Sequence, residues 1–442
     1  MRNLKKIAAA IAFAMILPVF SAIPLNATAE TGESSLFDTV VLKSMTGEES
    51  ADAYTQGESG MKLNITGKNA SVTFGGDDVQ QFGLFDDVII DLRLKIEGSG
   101  YNGDLKLYKP EGDLIDYGFP MGEWNRVRYK TKVYEQNGKK IVRLDFYNGK
   151  GKTIEISDFK IEKAPEDKPI LGGVKLYSME CTGLMEGYVL VTPEGKVIVI
   201  DGGNNAEVDA LVKFLRTFTN KVDYWFITHF HSDHATALHV ILQNYDIAIE
   251  NLGYSFIESS VVKERSGDSD SWLCDAINED VLEYPNKVKN VITPGYGDVY
   301  KVSETVSVKA LNDSWFEKNN NYGNNSGIIY KVETPGEDIL FLGDMGDRGD
   351  YYLQDDWARS EIESCTVIQM AHHGQNGVTD KFYAAIKDIK VCLYPAAQWI
   401  YDNDNGKGFN SANLKTLHTR DLMRERGVME IIISAHGRKL LI

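Results

Sequence analysis

The chain has 442 residues, a length that suits two domains better than one. Its formal net charge of −17 at pH 7 argues against a general nucleic-acid binder or a protein of anionic membrane surfaces, because those polyanions repel an acidic chain. A hydrophobic fraction of 43% is sufficient for real cores. The composition therefore indicates an acidic globular protein.

Residues 1–29 predict a signal peptide. The segment "MRNLKKIAAAIAFAMILPVFSAIPLNATAE" has a basic start, an apolar run too short and too interrupted by proline to span a bilayer, and the small residues Ala27 and Ala29 of a cleavage site. We expect cleavage after Ala29, a secreted, extracytoplasmic protein, and no integral membrane segment after cleavage. The alternative is a buried N-terminal helix.

Four cysteines stand far apart and form no CxxC pair: Cys181, Cys274, Cys365 and Cys392. Two of them belong to apolar runs that resemble core strands, "CTVIQM" and "VCLYP". We therefore expect buried free thiols rather than disulfides or a cysteine-bound metal.

Residues 36–163 alternate apolar and charged side chains, as in "VIIDLRLKIEG", and carry Asn-Gly turn signals. This texture predicts an antiparallel, jelly-roll-like β-sandwich, and it resembles carbohydrate-binding modules. Four aromatic residues are candidates for stacking on a glycan or cell-wall polymer, with plain packing as the alternative: Tyr101, Tyr108, Tyr117 and Trp124.

The charged, proline-containing residues 164–169 predict a linker, and the pattern changes after it. In residues 170–442, strand-like runs such as "KVIVIDGG" alternate with amphipathic helical runs such as "AEVDALVKFLRTF". Strands that alternate with helices predict a layered α/β domain.

One stretch, "ITHFHSDHATAL", concentrates four candidate metal ligands at the junction of a strand and a helix: His229, His231, Asp233 and His234. Imidazole and carboxylate groups suit one or two divalent cations, and a pair of ions about 3.5 to 4 Å apart can hydrolyse an ester. The alternative is a polar loop with chance histidines. Three further apolar strands also end in candidate site residues: Asp201, Asp344, and the pair His372 and His373.

Taken in this order, Asp201, "HFHSDH", "LGD" and "HHG" resemble the metallo-β-lactamase superfamily over residues 170–442. The segments "NNSGIIYKVETPGEDILFLGD" and "AHHGQNG" resemble its ComEC-type branch and phosphorylcholine esterases. The resemblance implies a four-layer αβ/βα fold and an exported hydrolase of phosphoesters or phosphodiesters, of nucleic acid or cell-wall phosphorylcholine type. It also implies two divalent ions as cofactors, Zn²⁺ or alternatively Mn²⁺.

The resemblance also implies a role for each matching residue. His229 and His231 hold the first ion, Asp233 and His234 the second, and Asp344 bridges them. His372 is the favoured further ligand, which leaves His373 near the substrate oxygens as a catalytic group. Asp233 orients the attacking water or takes its proton, and Asp201 orients a ligand histidine.

In one respect the sequence departs from many superfamily members, because no histidine occurs from 240 to 371. Asn324, Asn325 and Ser326 lie in the corresponding loop, and Asn325 is expected beside the ligands as a supporting residue. The first site is then expected to be weaker and to be completed by an amide oxygen or water, or to be lost on purification. Two other functions remain open. One is hydrolysis of carboxylic esters, lactones or amides at the same site, and the other is surface glycan binding with a vestigial hydrolase domain.

Overall fold

A computed structural model describes residues 51–57, 60–166, 169–315, 321–411 and 414–442. The predicted signal peptide and the first residues of the predicted sandwich, 36–50, lie outside these ranges, as do residues 167 and 168 of the predicted linker. All described residues belong to one compact unit, Leu36–Ile442. Within the described ranges, no helix combines the length and the hydropathy needed to cross a membrane.

The first part of the chain is β-rich, with one short helix, α1 (Asp77–Gln80). Its strands are β1 (Ala51–Gly57), β2 (Gly60–Ile65), β3 (Asn69–Phe74), β4 (Asp87–Ile96), β5 (Tyr101–Tyr108), β6 (Leu114–Pro120), β7 (Trp124–Lys132), β8 (Tyr134–Gln136), β9 (Lys139–Tyr147) and β10 (Thr153–Lys163). They form two antiparallel sheets, ordered β1-β2-β10-β4-β7 and β3-β9-β5-β6, with β8 paired to β9. Both sheets contribute to one apolar cluster that includes Leu92, Val127 and Leu144.

The alternation predicted for this region determines its packing. Val127 of β7 is buried and pairs with Leu92 on β4. The preceding residue, Arg126, points outward and forms an ion pair with Asp91 at 2.6 Å. Side chains of a strand alternate between faces, so one face reaches the core and the other carries ion pairs.

The second part alternates strands with helices. Its first half contains β11 (Lys175–Ser178), β12 (Gly187–Val191), β13 (Val197–Asp201), α2 (Val208–Leu215), β14 (Lys221–Phe226), α3 (Ser232–Asn244), β15 (Ala248–Gly253), α4 (Ser259–Ser266), α5 (Trp272–Glu283) and β16 (Val288–Ile292). Its second half contains β17 (Val299–Lys301), β18 (Ser307–Ala310), α6 (Tyr322–Asn325), β19 (Tyr330–Glu333), β20 (Ile339–Phe341), α7 (Gly349–Tyr352), α8 (Asp356–Glu363), β21 (Val367–Gln369), α9 (Asp380–Ala385), β22 (Val391–Tyr394), α10 (Gln398–Tyr401), α11 (Thr416–Glu425), β23 (Glu430–Ile433) and β24 (Lys439–Leu441).

These strands form two seven-stranded mixed sheets, ordered β16-β15-β14-β13-β12-β11-β24 and β17-β18-β19-β20-β21-β22-β23. Ile198 and Ile200 of β13 belong to a cluster that both sheets share, whereas Val199 packs with residues of α2, α3 and α5. In the other sheet Val367 joins the shared cluster, and Ile368 packs with residues of α8, α9 and α11. Because neighbouring residues of a strand face opposite sides, each sheet is covered on both faces. The described chain is a mixed α/β protein, as the sequence predicts.

The β-rich part contacts the loop before α11 and α11 itself. Phe409 occupies the space beside Gly103 and Gly118, where a β-carbon on either glycine would collide with its ring. Arg424 Nε of α11 lies 2.8 Å from Asp116 Oδ2 of β6. The two parts therefore share a packed and charged contact surface.

Strand ends bring the predicted site residues together. β13 and β14 are parallel neighbours in one sheet, and β20 and β21 are parallel neighbours in the other. Parallel neighbours have their carboxyl ends at the same edge of a sheet. The segments that follow these four strands begin with Gly202, Ile227, Leu342 and Met370, and they carry or adjoin the predicted ligands.

Candidate metal centre

The segment "HFHSDH" connects β14 to α3. The strand ends at Phe226, and the helix begins at Ser232. Asp233 therefore lies in the first helical turn, where the positive end of the helix dipole favours a carboxylate. Thr228 anchors the segment, because its N–H and Oγ1–H donate to Asp201 at 2.7 and 2.8 Å.

Asp201, at the end of β13, also determines how His234 is oriented. Asp201 is fully buried, and its Oδ2 accepts a hydrogen bond from His234 Nδ1 at 2.8 Å. His234 Nε2 is then directed at Asp344 Oδ1, 3.2 Å away. Among the described residues, neither of these two buried atoms makes a hydrogen bond. Such a pair of unsatisfied buried polar atoms, a ring nitrogen and a carboxylate oxygen, is what a bound cation would explain.

The ligand atoms form two clusters that share Asp344. Asp233, His234, Asp344 and His373 offer four atoms within 4.8 Å of one another, and His229, His231 and Asp344 offer three within the same limit. Nitrogen and carboxylate oxygen donors in these numbers fit divalent metal ions such as Zn²⁺. The chain therefore has His/Asp clusters that could hold metal.

In the first cluster, His229 Nε2 and His231 Nδ1 face each other at 3.0 Å. Burial, followed by the positive charges of His234 and His231, lowers the pKa of His229 well below its ordinary value. His229 is thus a neutral imidazole with a lone pair, which is the form that binds a metal.

In the second cluster, histidines and carboxylates shift each other's pKa values. Burial alone would lower the pKa of His373, but Asp344 and Asp233 raise it to about 9. Burial alone would raise the pKa of Asp344, but His373, His234 and His372 hold it well below its ordinary value. Protons on the histidines thus supply the positive charge that the buried carboxylates need, and a divalent cation would supply the same compensation.

His372 and His373 both adjoin Asp344, since each places Nε2 3.6 Å from Asp344 Oδ2. His373 is buried, donates from Nδ1 to Pro395 O at 2.7 Å, and places Nε2 3.0 Å from Asp233 Oδ2. His372 is partly exposed and lies 3.6 Å from Asp344 Oδ2. The cluster of four candidate ligand atoms contains His373, and the choice of His372 as the further ligand stays a prediction.

The backbone at His372 and His373 determines where the two side chains point. Both residues have positive φ, 53° for His372 and 58° for His373. Consecutive left-handed residues turn the chain sharply after β21, so the second histidine is directed back into the cluster. Left-handed backbone at residues other than glycine is strained and concentrates at functional sites.

Asn325 braces the loop that follows Asp344. Its Oδ1 accepts a hydrogen bond from Gly346 N at 3.1 Å, and its Nδ2 donates to Asp347 Oδ1 at 3.2 Å. The amide oxygen of Asn325 is thus bonded to the loop that follows Asp344.

Two acidic residues next to the clusters were not predicted. Asp268 Oδ2 lies 2.8 Å from His231 Nε2. Glu186 is fully buried beside Asp201 and His234, and its Oε2 accepts a hydrogen bond from Gln369 Nε2 at 2.8 Å. The acidic run "SGDSDS" was a visible signal for Asp268, but its distance along the chain concealed the contact.

The other histidines have partners elsewhere. His239 pairs with Asp280, His418 with Asp380, and His436 with Gln398. All four cysteines lie within the described ranges, buried and free, as expected.

Two of the four predicted sugar-stacking residues are engaged by the second part of the chain. Tyr101 Oη donates to Asp421 at 2.7 Å, and the ring of the buried Tyr117 lies tilted against Tyr401, with ring centroids 6.0 Å apart. Trp124 has an exposed fraction of 42%.

Comparison with known proteins gives one family match. Residues 183–251 match the model of the metallo-beta-lactamase superfamily. Among curated proteins, none matches this sequence.

Several solved structures resemble the chain. A diphosphatase of the PhnP family has 11% identity and a TM-score of 0.33, over 52% of this chain and 91% of that one. Zn²⁺-bound PqqB from Methylobacterium extorquens has 10% identity and a TM-score of 0.36, over 61% and 99%. A subclass B3 metallo-beta-lactamase from a soil metagenome library has 13% identity and a TM-score of 0.31, over 58% and 89%. The matched residues 183–251 contain Asp201 and the segment "HFHSDH", so the similarity to this superfamily includes part of the His/Asp clusters.

Proposed function

We propose that this protein is a two-metal hydrolase of phosphoesters or phosphodiesters. The observation that carries the proposal is the position of Asp344, whose buried carboxylate belongs to both clusters of ligand atoms. A carboxylate has two oxygens and can bridge two cations. Paired ions of this kind recur in enzymes that hydrolyse phosphate esters.

The ligands divide between the clusters. His229, His231 and Asp344 would hold one ion, and Asp344 with Asp233, His234 and His373 would hold the other. Zn²⁺ suits these donors, with Mn²⁺ as the alternative. Bound ions supply Lewis-acid chemistry, since they lower the pKa of a water molecule and neutralise charge on a phosphoryl group.

The chain's own groups then position the reactants. Asp233 directs Oδ2 at His373 and keeps Oδ1 3.9 Å from His234 Nε2, so it can orient the attacking water or accept its proton. His372 is partly exposed beside Asp344, and burial lowers its pKa. A neutral His372 can donate a hydrogen bond to a phosphoryl oxygen, the role that the family resemblance implied for His373.

The proposal also covers the layers of the fold, the domains, export and polymer binding. We propose a four-layer αβ/βα domain over residues 170–442, a β-sandwich over 36–163, and relationship to the ComEC-type branch. The two clusters that cover each seven-stranded sheet support the layers. The signal-like residues 1–29 support export. Glycan or wall-polymer binding is supported by the exposed Trp124.

Turnover of bis-p-nitrophenyl phosphate, p-nitrophenyl phosphorylcholine and p-nitrophenyl acetate by the metal-loaded protein tests the function. We expect phosphate ester hydrolysis that Asp344→Ala abolishes and Asp356→Ala leaves unchanged, because the Asp356 side chain is 92% exposed and its ion-pair partner is Arg359 rather than a ligand. Turnover of the acetate alone would instead establish a carboxylic esterase. Full phosphate ester turnover by Asp344→Ala would refute the site.

A further inference from the structure

The segment between β15 and β16 contacts the first cluster from outside the two sheets. Its turn between α4 and α5 contains Asp268 and Asp270. Asp268 Oδ2 lies 2.8 Å from His231 Nε2, and Asp270 Oδ2 accepts a hydrogen bond from Ser232 N at 2.8 Å. One turn therefore holds both the ligand ring and the backbone beside it.

The contact with Asp268 determines which nitrogen of His231 is free. A carboxylate accepts hydrogen bonds, so the proton of the neutral ring is placed on Nε2. The lone pair then lies on Nδ1, the atom that faces His229 Nε2 at 3.0 Å. Nδ1 is thus the His231 atom available to the cluster with His229 and Asp344.

Asp268 is itself held in place. Its Oδ1 accepts a hydrogen bond from Asp270 N at 3.0 Å, and its N–H donates to Ser266 Oγ at 3.2 Å. Gly323 of α6 leaves the room for this contact, since a β-carbon there would collide with both His231 Nε2 and Asp268 Oδ2. The position of Asp268 is thus supported by its own turn and by α6.

The first cluster has particular need of such support. It contains two histidines and Asp344, and no further histidine occurs from 240 to 371. A carboxylate on the outer nitrogen of a ligand imidazole fixes its tautomer and raises its basicity. We propose that Asp268 is a positioning residue that keeps His231 Nδ1 as a ligand and thereby sustains metal binding at the first cluster. This inference rests on the proposed metal centre, but not on the substrate.

Competition between the protein and a chromophoric chelator for Zn²⁺ tests the inference. Asp268→Asn is expected to weaken one of two binding events about 10- to 100-fold and to leave the other unchanged. Asp268→Glu keeps the carboxylate and should recover part of the loss. The control is Asp380→Asn, which removes the carboxylate from the exposed His418–Asp380 pair and should leave both events unchanged.

Cobalt substitution gives a second measurement. Visible absorption of Co²⁺ at the first cluster is expected to change in Asp268→Asn and to remain that of the parent in Asp380→Asn. Equal Zn²⁺ affinities and equal spectra for Asp268→Asn and the parent would overturn the inference, as would absence of Zn²⁺ binding by the parent. Two bound ions without phosphate ester turnover would refute the proposed substrate class, and these affinities would still decide the role of Asp268.

Discussion

Replacing Asp201 by asparagine is expected to disable His234 as a ligand without removing its side chain. Asp201 accepts hydrogen bonds from Thr228 N, Thr228 Oγ1 and His234 Nδ1. The asparagine amide keeps the shape, but its NH₂ group donates instead of accepting. If that group faces His234 Nδ1, the ring proton moves to Nε2, the atom directed at Asp344.

The expected magnitude follows from these contacts. Loss of a partner that orients a ligand histidine costs about 10- to 100-fold in metal affinity, or about 1.4 to 2.7 kcal/mol. A donor left unsatisfied in this fully buried place costs about 1 to 3 kcal/mol of folding free energy. Metal binding and stability should therefore both decrease.

Zn²⁺ affinity by chelator competition and stability by urea denaturation measure the two effects. Asp280→Asn is the matched control, because Asp280 is a buried partner of His239 outside the ligand clusters. The control should lose stability and keep its Zn²⁺ affinity. Equal Zn²⁺ affinity in Asp201→Asn and Asp280→Asn would refute the orienting role of Asp201.

Four further predictions concern protonation and packing. In the metal-free protein the pKa of His373 is raised to about 9, and His373 must lose its proton to bind a metal. The apparent Zn²⁺ affinity should therefore rise with pH up to about 9, which Zn²⁺ titrations at a series of pH values would measure. The stability that this raised pKa gives the metal-free protein is present below about pH 6.5, the unfolded value, and is lost as pH rises through about 9, so the urea midpoint should fall over that window. Gly118→Ala should cost about 1 to 3 kcal/mol more than Gly138→Ala in urea denaturation, because both have φ near 75° but only Gly118 adjoins Phe409; equal losses would contradict this packing. Arg420→Met should cost about 3 to 5 kcal/mol, since Arg420 is buried 3.5 Å from Asp116, and a loss below about 1 kcal/mol would contradict a structural role.

The sequence predicted the α/β class. It also predicted that the segments after β13, β14, β20 and β21 lie close together, because residues that follow parallel strands meet at one sheet edge. It did not resolve His372 from His373, since their order depends on two consecutive residues with positive φ. Nothing in the residue types of "AHHGQNG" specifies that turn.

Contacts between segments that are distant along the chain could not be predicted from the sequence either. Asp268 reaches His231 across 37 residues through a turn between two helices. Arg424 reaches Asp116 across 308 residues, so the extent of contact between the β-rich part and α11 could not be read from either local pattern. Periodicity reports which face of an element is buried, but not which element covers it.

Zn²⁺ stoichiometry titrated against phosphodiester turnover tests the central claim most directly. Turnover is expected to increase until about two ions are bound per chain, and Asp344→Ala should lose both the second ion and the turnover, because Asp344 belongs to both clusters. Undiminished turnover in the metal-free protein, or in Asp344→Ala, would contradict the claim.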